Sequence, residues 1–326
     1  MKVFISRIIP QEGIAILQDA GLELTQYSGK ANIPQDELID ICNRHNMLLS
    51  VGSNKIDSRF LHACKHLKGI ALMSAGYDNV DIATATSLGI PVSNTPNVLS
   101  KATSDVAFLL MLAVSRNAFY MHETINKQEW GFFDPTANLG IELYNKTLGV
   151  FGLGNIGTEL AIKCKAAYNM PVIYHNRNRN ESAEKALGAK YVSFDTLLAQ
   201  SDVLSVHANL SDETRAIFNK TSFSKMKESA IFINTARGGL HNEQDLTEAL
   251  RHKKIWGAGL DVTNPEPMQP GNPLLNMRNV CVLPHIGSAT IETRAKMAVM
   301  AANNIIALMQ GKPMPQVINK GVYEDE

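Results

Sequence analysis

The sequence predicts an α/β protein of two domains, and three observations carry that prediction. Short apolar runs alternate with helix-length stretches along most of the chain, the pattern of strands joined by crossover helices into a parallel sheet. The chain has 326 residues, 45% of them hydrophobic, which fills two cores of about 100 to 200 residues each. One glycine-rich stretch, Gly152-Leu153-Gly154-Asn155-Ile156-Gly157, opens a second round of the same alternation.

In the first round, Val3 to Ile5, Leu22 to Tyr27, Met47 to Val51, Gly69 to Met73 and Pro91 to Ser93 read as strands. Helices fall between them, starting near Pro10, Pro34, Asp57 and Asp81, residues that suit a first helical turn or its cap. From Leu99 to Met121 runs a long, largely apolar helix signal, interrupted by Ser104-Asp105 and too short to span a membrane; it reads as a helix buried between domains.

The second round begins at Thr147. Strands are expected at Thr147 to Phe151, Val172 to His175, Val203 to His207, Ala230 to Asn234, Gly257 to Val262 and Val280 to Leu283, the six of a complete dinucleotide-binding sheet. A last helix, Ile291 to Met309, stops at Gly311 with Pro313 and Pro315 beyond it.

Composition narrows the partners. Formal net charge is zero, so there is no excess positive field to hold a nucleic-acid backbone or an anionic membrane, and a small molecule is expected instead. Cys42, Cys64, Cys164 and Cys281 are scattered without paired spacing, which argues for reduced buried thiols and against a disulfide framework or a metal site. The N-terminal stretch turns polar after too few apolar residues for a signal-peptide core, so a soluble cytoplasmic protein is expected.

Three glycines at this spacing are a weak signal alone. Here Leu148-Gly149-Val150-Phe151 supplies a buried strand before them and Thr158-Glu159-Leu160-Ala161-Ile162-Lys163 begins a helix after them. Gly152 permits the turn, Gly154 lets backbone approach a pyrophosphate, and Gly157 allows close helix-strand packing. A simple structural turn, or the glycine loop of a methyltransferase, stays open on this feature. NAD sites place an acid at the end of the second strand to bind the ribose 2′-hydroxyl, whereas this strand runs into Asn176-Arg177-Asn178-Arg179. Neutral donors and two cations there favour NADP(H), with Arg177 as the main clamp; NAD(H) stays possible, and the arginines also fit a solvated basic loop.

Three separated residues carry the chemistry. Arg237 emerges where the apolar run Ile233-Asn234 enters Thr235-Ala236-Arg237-Gly238-Gly239, at the strand's carboxyl edge where open sheets bind ligands. A planar guanidinium there can hold a carboxylate or carbonyl oxygen through two hydrogen bonds. His285 follows Val280-Cys281-Val282-Leu283-Pro284 and also lies at a strand end; of nine histidines it has the most site-like setting. His45, His62, His66, His122, His241 and His252 read as surface or helix residues, His175 and His207 as strand-end residues. Glu266 stands between Pro265 and Pro267, and a carboxylate bonded to an imidazole fixes its tautomer and favours its protonated form. Taken singly, Arg237 fits a surface ion pair and Glu266 an exposed loop acid.

The combined segments resemble the D-isomer-specific 2-hydroxyacid dehydrogenases, with the closest likeness to glyoxylate and hydroxypyruvate reductases. The most specific stretch is Leu260-Asp261-Val262-Thr263-Asn264-Pro265-Glu266-Pro267, followed by Asn272-Pro273-Leu274-Leu275 and Leu283-Pro284-His285-Ile286-Gly287-Ser288-Ala289-Thr290. Upstream, Met73-Ser74-Ala75-Gly76-Tyr77-Asp78-Asn79-Val80-Asp81 resembles the substrate-carboxylate loop and Asn94-Thr95-Pro96-Asn97-Val98 the domain crossover. Three positions depart from the family pattern: the missing strand-end acid, Ser104-Asp105 for a common Ala-Glu, and Asn209-Leu210 for a frequent Pro-Leu.

The resemblance implies two Rossmann-like, doubly wound domains: a discontinuous, flavodoxin-like substrate-binding domain of residues 1–98 plus 290–326, and an inserted dinucleotide-binding domain of residues 99–289. It implies that Arg237 binds and polarises a 2-oxo acid, that His285 is the acid/base and that Glu266 pairs with it. Ala75 and Gly76 offer amides to the carboxylate, with Ser288 beside His285. Asn155 and Ile156 fall at the pyrophosphate, and Thr235, Ala236, Asp261 and Gly287 at the nicotinamide half. No metal is called for, and homodimers are usual in the family. The reaction implied is NADPH-dependent reduction of glyoxylate to glycolate and hydroxypyruvate to D-glycerate; 2-ketogluconate reduction, or a dinucleotide-sensing role like that of co-repressors in the family, are the alternatives.

Overall fold

The computed structural model describes residues 1–324. They form two compact units: Met1–Leu99 together with the chain from Ser288 onward, and Ser100–Gly287.

The first unit is built on five parallel strands, β1 (Lys2–Ile5), β2 (Glu23–Gln26), β3 (Met47–Ser50), β4 (Gly69–Leu72) and β5 (Val92–Ser93), in the order β2-β1-β3-β4-β5. Helices α1 (Gln11–Asp19), α2 (Gln35–Cys42), α3 (Ser58–Ala63) and α4 (Ile82–Ser87) alternate with them. Pro10 and Pro34 precede the first two, while Asp57 and Asp81 cap the next two by accepting the Phe60 and Thr84 N–H groups at 3.1 and 2.9 Å. Strands β3 and β4 are buried along their whole length, as inner strands of a parallel sheet must be.

The second unit opens with α5 (Ser100–Ser115) and α6 (Ala118–Asn126). The single long helix expected over this stretch is divided at Asn117, which takes a left-handed conformation at φ 51°. Helix α5 packs on α7 (Asn155–Tyr168) and on strands of its own unit. Lys163 of α7 reaches back to Ser104 Oγ at 2.6 Å and to Asp105 at 3.3 Å, which accounts for the polar interruption in an apolar helix.

Strands β6 (Leu148–Phe151), β7 (Val172–His175), β8 (Lys190–Tyr191), β9 (Val203–Val206), β10 (Ile231–Asn234), β11 (Gly257–Leu260) and β12 (Val280–Val282) make one parallel sheet, ordered β12-β11-β10-β9-β6-β7-β8. Six were expected. The seventh, β8, is two exposed residues long and leaves no periodic trace in the sequence. Helices α8 (Glu181–Leu187), α9 (Phe194–Gln200), α10 (Lys220–Ser224) and α11 (Glu243–Arg251) complete the unit, and α12 (Ile291–Met309) returns to the first. The sheet reverses direction between β6 and β9, so the carboxyl ends of these strands form the switch point where open α/β sheets take their ligands. Among the described residues no helix is long and apolar enough to cross a membrane.

Candidate active site

The fingerprint turn lies at the switch point. Gly152 has φ 98°, and a Cβ there would come within 2.5 Å of the Ala208 N and 2.7 Å of the His207 carbonyl carbon, so only glycine fits between β6 and the end of β9. At Gly157 a Cβ would meet the Gly152 oxygen at 2.7 Å and Val150 at 2.8 Å, so α7 can sit close on its strand. A Cβ at Gly154 would meet nothing within 4 Å, and this residue caps α7 without a side-chain partner for the first amides. Asn155 and Ile156 begin that helix. Open space before a helix N-terminus fits a pyrophosphate.

The loop after β7 is tied to this turn through one residue, Leu153. Asn176 Oδ1 accepts the Leu153 N–H at 2.6 Å, and Asn180 Nδ2 donates to the Leu153 carbonyl at 2.7 Å. Asn176 therefore points inward. Arg179 was expected to join Arg177 as a cofactor cation, but it forks onto Glu184 at 2.6 and 3.0 Å and lies over the Tyr191 ring. Glu184 also accepts from the Tyr174 hydroxyl at 2.5 Å, and the bonds from Arg179 and then Tyr174 hold its carboxyl below the ordinary range. Arg177, the other cation of that loop, is exposed.

The catalytic candidates follow three neighbouring strands. Arg237 comes three residues after β10, Glu266 lies in the loop after β11, and His285 three residues after β12. His285 Nδ1 and Glu266 Oε1 are 2.5 Å apart. Burial by itself pushes the Glu266 carboxyl up, but the hydrogen bond and charge of His285, with smaller help from Arg237, bring it below the usual carboxylate range. Arg237 is close enough to contribute to that charge. A Cβ on Gly238 would stand 2.0 Å from the Thr263 oxygen, so the Arg237 turn lies directly on the loop that carries Glu266.

His285 is held by its neighbours. It sits in the left-handed region at φ 55°, a conformation costing a residue with a Cβ about 1–2 kcal/mol. The next two N–H groups, of Ile286 and Gly287, are accepted by the buried Asp261 carboxylate at 2.8 and 2.7 Å. Burial pushes the Asp261 carboxyl up, against the pull of those two bonds. Thr103 Oγ1 donates to the Gly287 carbonyl at 3.1 Å.

Two other histidines near this edge cannot supply a proton at neutral pH. Burial pushes His207 down to about 3 and His241 down to about 4. His207 is bonded to Ser205 at 2.8 Å and lies 3.4 Å from the Thr235 hydroxyl. His241, read from the sequence as a surface residue, is 2% exposed; the polar stretch around it hid a side chain that the Arg237 turn folds inward. His45 is likewise buried, packed on Phe4. Sequence reasoning also passed over Asn234, fully buried, whose amide holds both sides of the Ala236–Arg237 peptide.

In the first unit, the loop after β4 carries Ala75 and Gly76. Their carbonyls are taken by the Asn94 amide and the Ser74 hydroxyl, each at 2.7 Å. Among the described residues neither N–H has an acceptor, which leaves a pair of donors available to an anion. Ser288 accepts at its carbonyl from the Thr290 N–H and the Arg294 side chain.

Residues 108–287 match the model of the D-isomer specific 2-hydroxyacid dehydrogenase, NAD binding domain. The chain belongs to the D-isomer specific 2-hydroxyacid dehydrogenase family. Members similar along the whole length include the glyoxylate reductase of Thermococcus litoralis, 40% identical over 98% of this chain and 97% of its own. The human glyoxylate reductase/hydroxypyruvate reductase is 39% identical, covering 97% of each chain. A crystal structure of a Thermus thermophilus protein superposes with a TM-score of 0.91 at 37% identity, over 98% of this chain and 100% of that one. The two parallel α/β sheets are those of this dehydrogenase fold, and the matched stretch covers the fingerprint, Arg237, Glu266 and His285.

Proposed function

We propose that this chain reduces small 2-oxo acids to D-2-hydroxy acids, glyoxylate to glycolate and hydroxypyruvate to D-glycerate, and that it prefers NADPH. The observation that carries this reading is the 2.5 Å pair of His285 and Glu266 at the carboxyl edge of the sheet, with the Arg237 turn packed on the same loop. Full-length relatives named for glyoxylate and hydroxypyruvate reduction support the substrate class.

The residues fit a nicotinamide dinucleotide: the open approach at Gly154 and the α7 amides for the pyrophosphate, Arg177 for a 2′-phosphate, and Thr235, Ala236, Asp261 and Gly287 toward the nicotinamide half. When bound, it supplies the hydride. Arg237 binds the carboxylate and carbonyl oxygens of the acid and draws electron density from the carbonyl carbon. Charged His285 donates the proton that the carbonyl oxygen needs as it becomes a hydroxyl, and Glu266 keeps the ring oriented through Nδ1 so that Nε2 faces the reacting group. In this reading the N–H groups of Ala75 and Gly76 receive the substrate carboxylate, with Ser288 next to it.

A homodimer belongs to the same proposal. Trp130, Phe132 and Phe133, between α6 and β6, are 73%, 79% and 85% exposed, an amount of bare aromatic surface that a monomer rarely keeps. Light scattering of the purified protein tests this point.

The deciding experiment is steady-state reduction of glyoxylate, hydroxypyruvate and 2-ketogluconate, each with NADPH and with NADH, followed at the nicotinamide absorbance. Fastest turnover of the two short acids with NADPH is expected. Preference for 2-ketogluconate would reassign the substrate while keeping the mechanism, and no turnover with any pair would reject the enzyme.

A further inference from the structure

We propose that His241 is a positioning residue for Arg237, acting by locking the buried side-chain amide of Asn234 beneath the Arg237 turn. The inference rests on the reading of Arg237 as the substrate-binding arginine.

The hydrogen-bond pattern can be solved without ambiguity. Asn234 Oδ1 accepts the Ala236 N–H at 3.0 Å, and Asn234 Nδ2 donates to the Arg237 carbonyl at 2.9 Å. A backbone N–H can only donate and a carbonyl can only accept, so the orientation of this amide is forced. Its second hydrogen then points at His241 Nδ1, 3.0 Å away. That nitrogen has to be a bare acceptor, and the ring proton has to sit on Nε2. A charged ring would oppose one N–H to another.

The surroundings keep the ring in that state. His241 is 2% exposed and Asn234 not at all, so water does not compete for either. The ring stands edge-on to Phe232, and among the described residues its Nε2 finds no hydrogen-bond partner. Nothing nearby would stabilise a second proton, in keeping with the low pKa that burial imposes.

The geometry gives this lock a function. Asn234 and His241 bracket the turn Thr235 to Leu240, and Asn234 grips the peptide on each side of the Ala236–Arg237 link. The far end of the turn is pinned separately, by the Phe218 N–H on the Leu240 carbonyl. Backbone bonds close the rest of the turn, with the Leu240 N–H also on the Arg237 carbonyl; the side-chain grip on both sides of Arg237 comes from the Asn234 amide, and His241 is the acceptor that uses up the amide hydrogen left over. A valine in this place would fill the volume and leave the hydrogen unmatched.

The test compares His241→Val and His241→Asn, because an asparagine Oδ1 can stand where the imidazole Nδ1 accepts. In glyoxylate reduction, His241→Val is expected to lower kcat/KM about tenfold, the scale of one unmade buried hydrogen bond, with cofactor affinity unchanged. His241→Asn should recover most of the loss. In an Arg237→Lys background, His241→Val should add little, because the residue acts through Arg237. Additive losses, or a stable His241→Val enzyme at full kcat/KM, would overturn the proposal.

Wild-type turnover is read first, so that an inactive wild type is recognised as a failure of the functional reading. The positioning claim is read apart from turnover by NMR, where the Arg237 side-chain Nε–H signal, identified by its loss in Arg237→Lys, should shift in His241→Val and return in His241→Asn. An unmoved signal would overturn it.

Discussion

The carboxylate of Asp261 closes on the backbone of Gly287, with Oδ2 accepting the glycine N–H at 2.7 Å while Oδ1 takes the N–H of Ile286. His285 precedes that pair in a left-handed conformation, so the acid just after β11 holds the backbone that follows the imidazole. Asp261→Ala leaves two N–H groups without their acceptor, each costing about 1–3 kcal/mol when buried. The expected result is a lower urea midpoint and a kcat reduced more than cofactor affinity. Wild-type kcat in this variant would remove Asp261 from the positioning of His285.

Gly287 itself leaves little room. A Cβ would meet Asp261 Oδ2 at 3.1 Å and Thr103 at 3.2 Å, so in Gly287→Ala these two side chains must give by a few tenths of an ångström, which disturbs the carboxylate that holds the loop and costs about 1 kcal/mol. Thermal unfolding and kcat should fall together in this variant.

Loss of His285, the proposed proton donor, should separate chemistry from binding. His285→Ala is expected to lower reduction by at least about a hundredfold, the scale of general acid catalysis, with dinucleotide affinity unchanged by fluorescence titration. Turnover close to wild type would exclude His285 as the acid.

The acid side of the pH profile is predicted to be set by Glu266. Its carboxyl is held below the usual range, where burial would raise it but the bond and charge of His285 prevail. For a depressed acid the contribution is complete above the ordinary carboxylate range and disappears as pH falls through the lowered value. Wild-type activity should therefore persist to a pH below that of a free glutamate, whereas Glu266→Gln should be slower throughout and lose that acid limb. An unchanged acid limb in the variant would show that another group produces it.

Cofactor preference is predicted to turn on Arg177. Arg177→Ala should weaken NADPH by about tenfold or more, the loss of a charge-assisted bond to a phosphate, and leave NADH within about twofold. Arg179→Ala should affect neither strongly, because that guanidinium is already engaged by Glu184. Equal losses for both dinucleotides in Arg177→Ala would assign the 2′-phosphate elsewhere.

What the sequence determined was the order of strands and helices, the place of the glycine turn and the residue types at three strand ends. Those are local properties: runs of apolar residues and their spacing separate strand from helix at β3, β4 and α12, and Pro10 by its ring and Asp57 and Asp81 by their capping carboxylates mark helix starts. The two-residue strand β8 and the break at Asn117 were out of reach, because each depends on what the segment packs against. Only the tertiary structure decided that Glu266 and His285 meet at 2.5 Å across nineteen positions, that Asp261 holds the next two amides, and that Arg179 belongs to Glu184. It also turned His241 inward against Asn234. A hydrogen bond between strand ends is fixed by the register and order of the sheet, which no stretch of sequence around either partner contains.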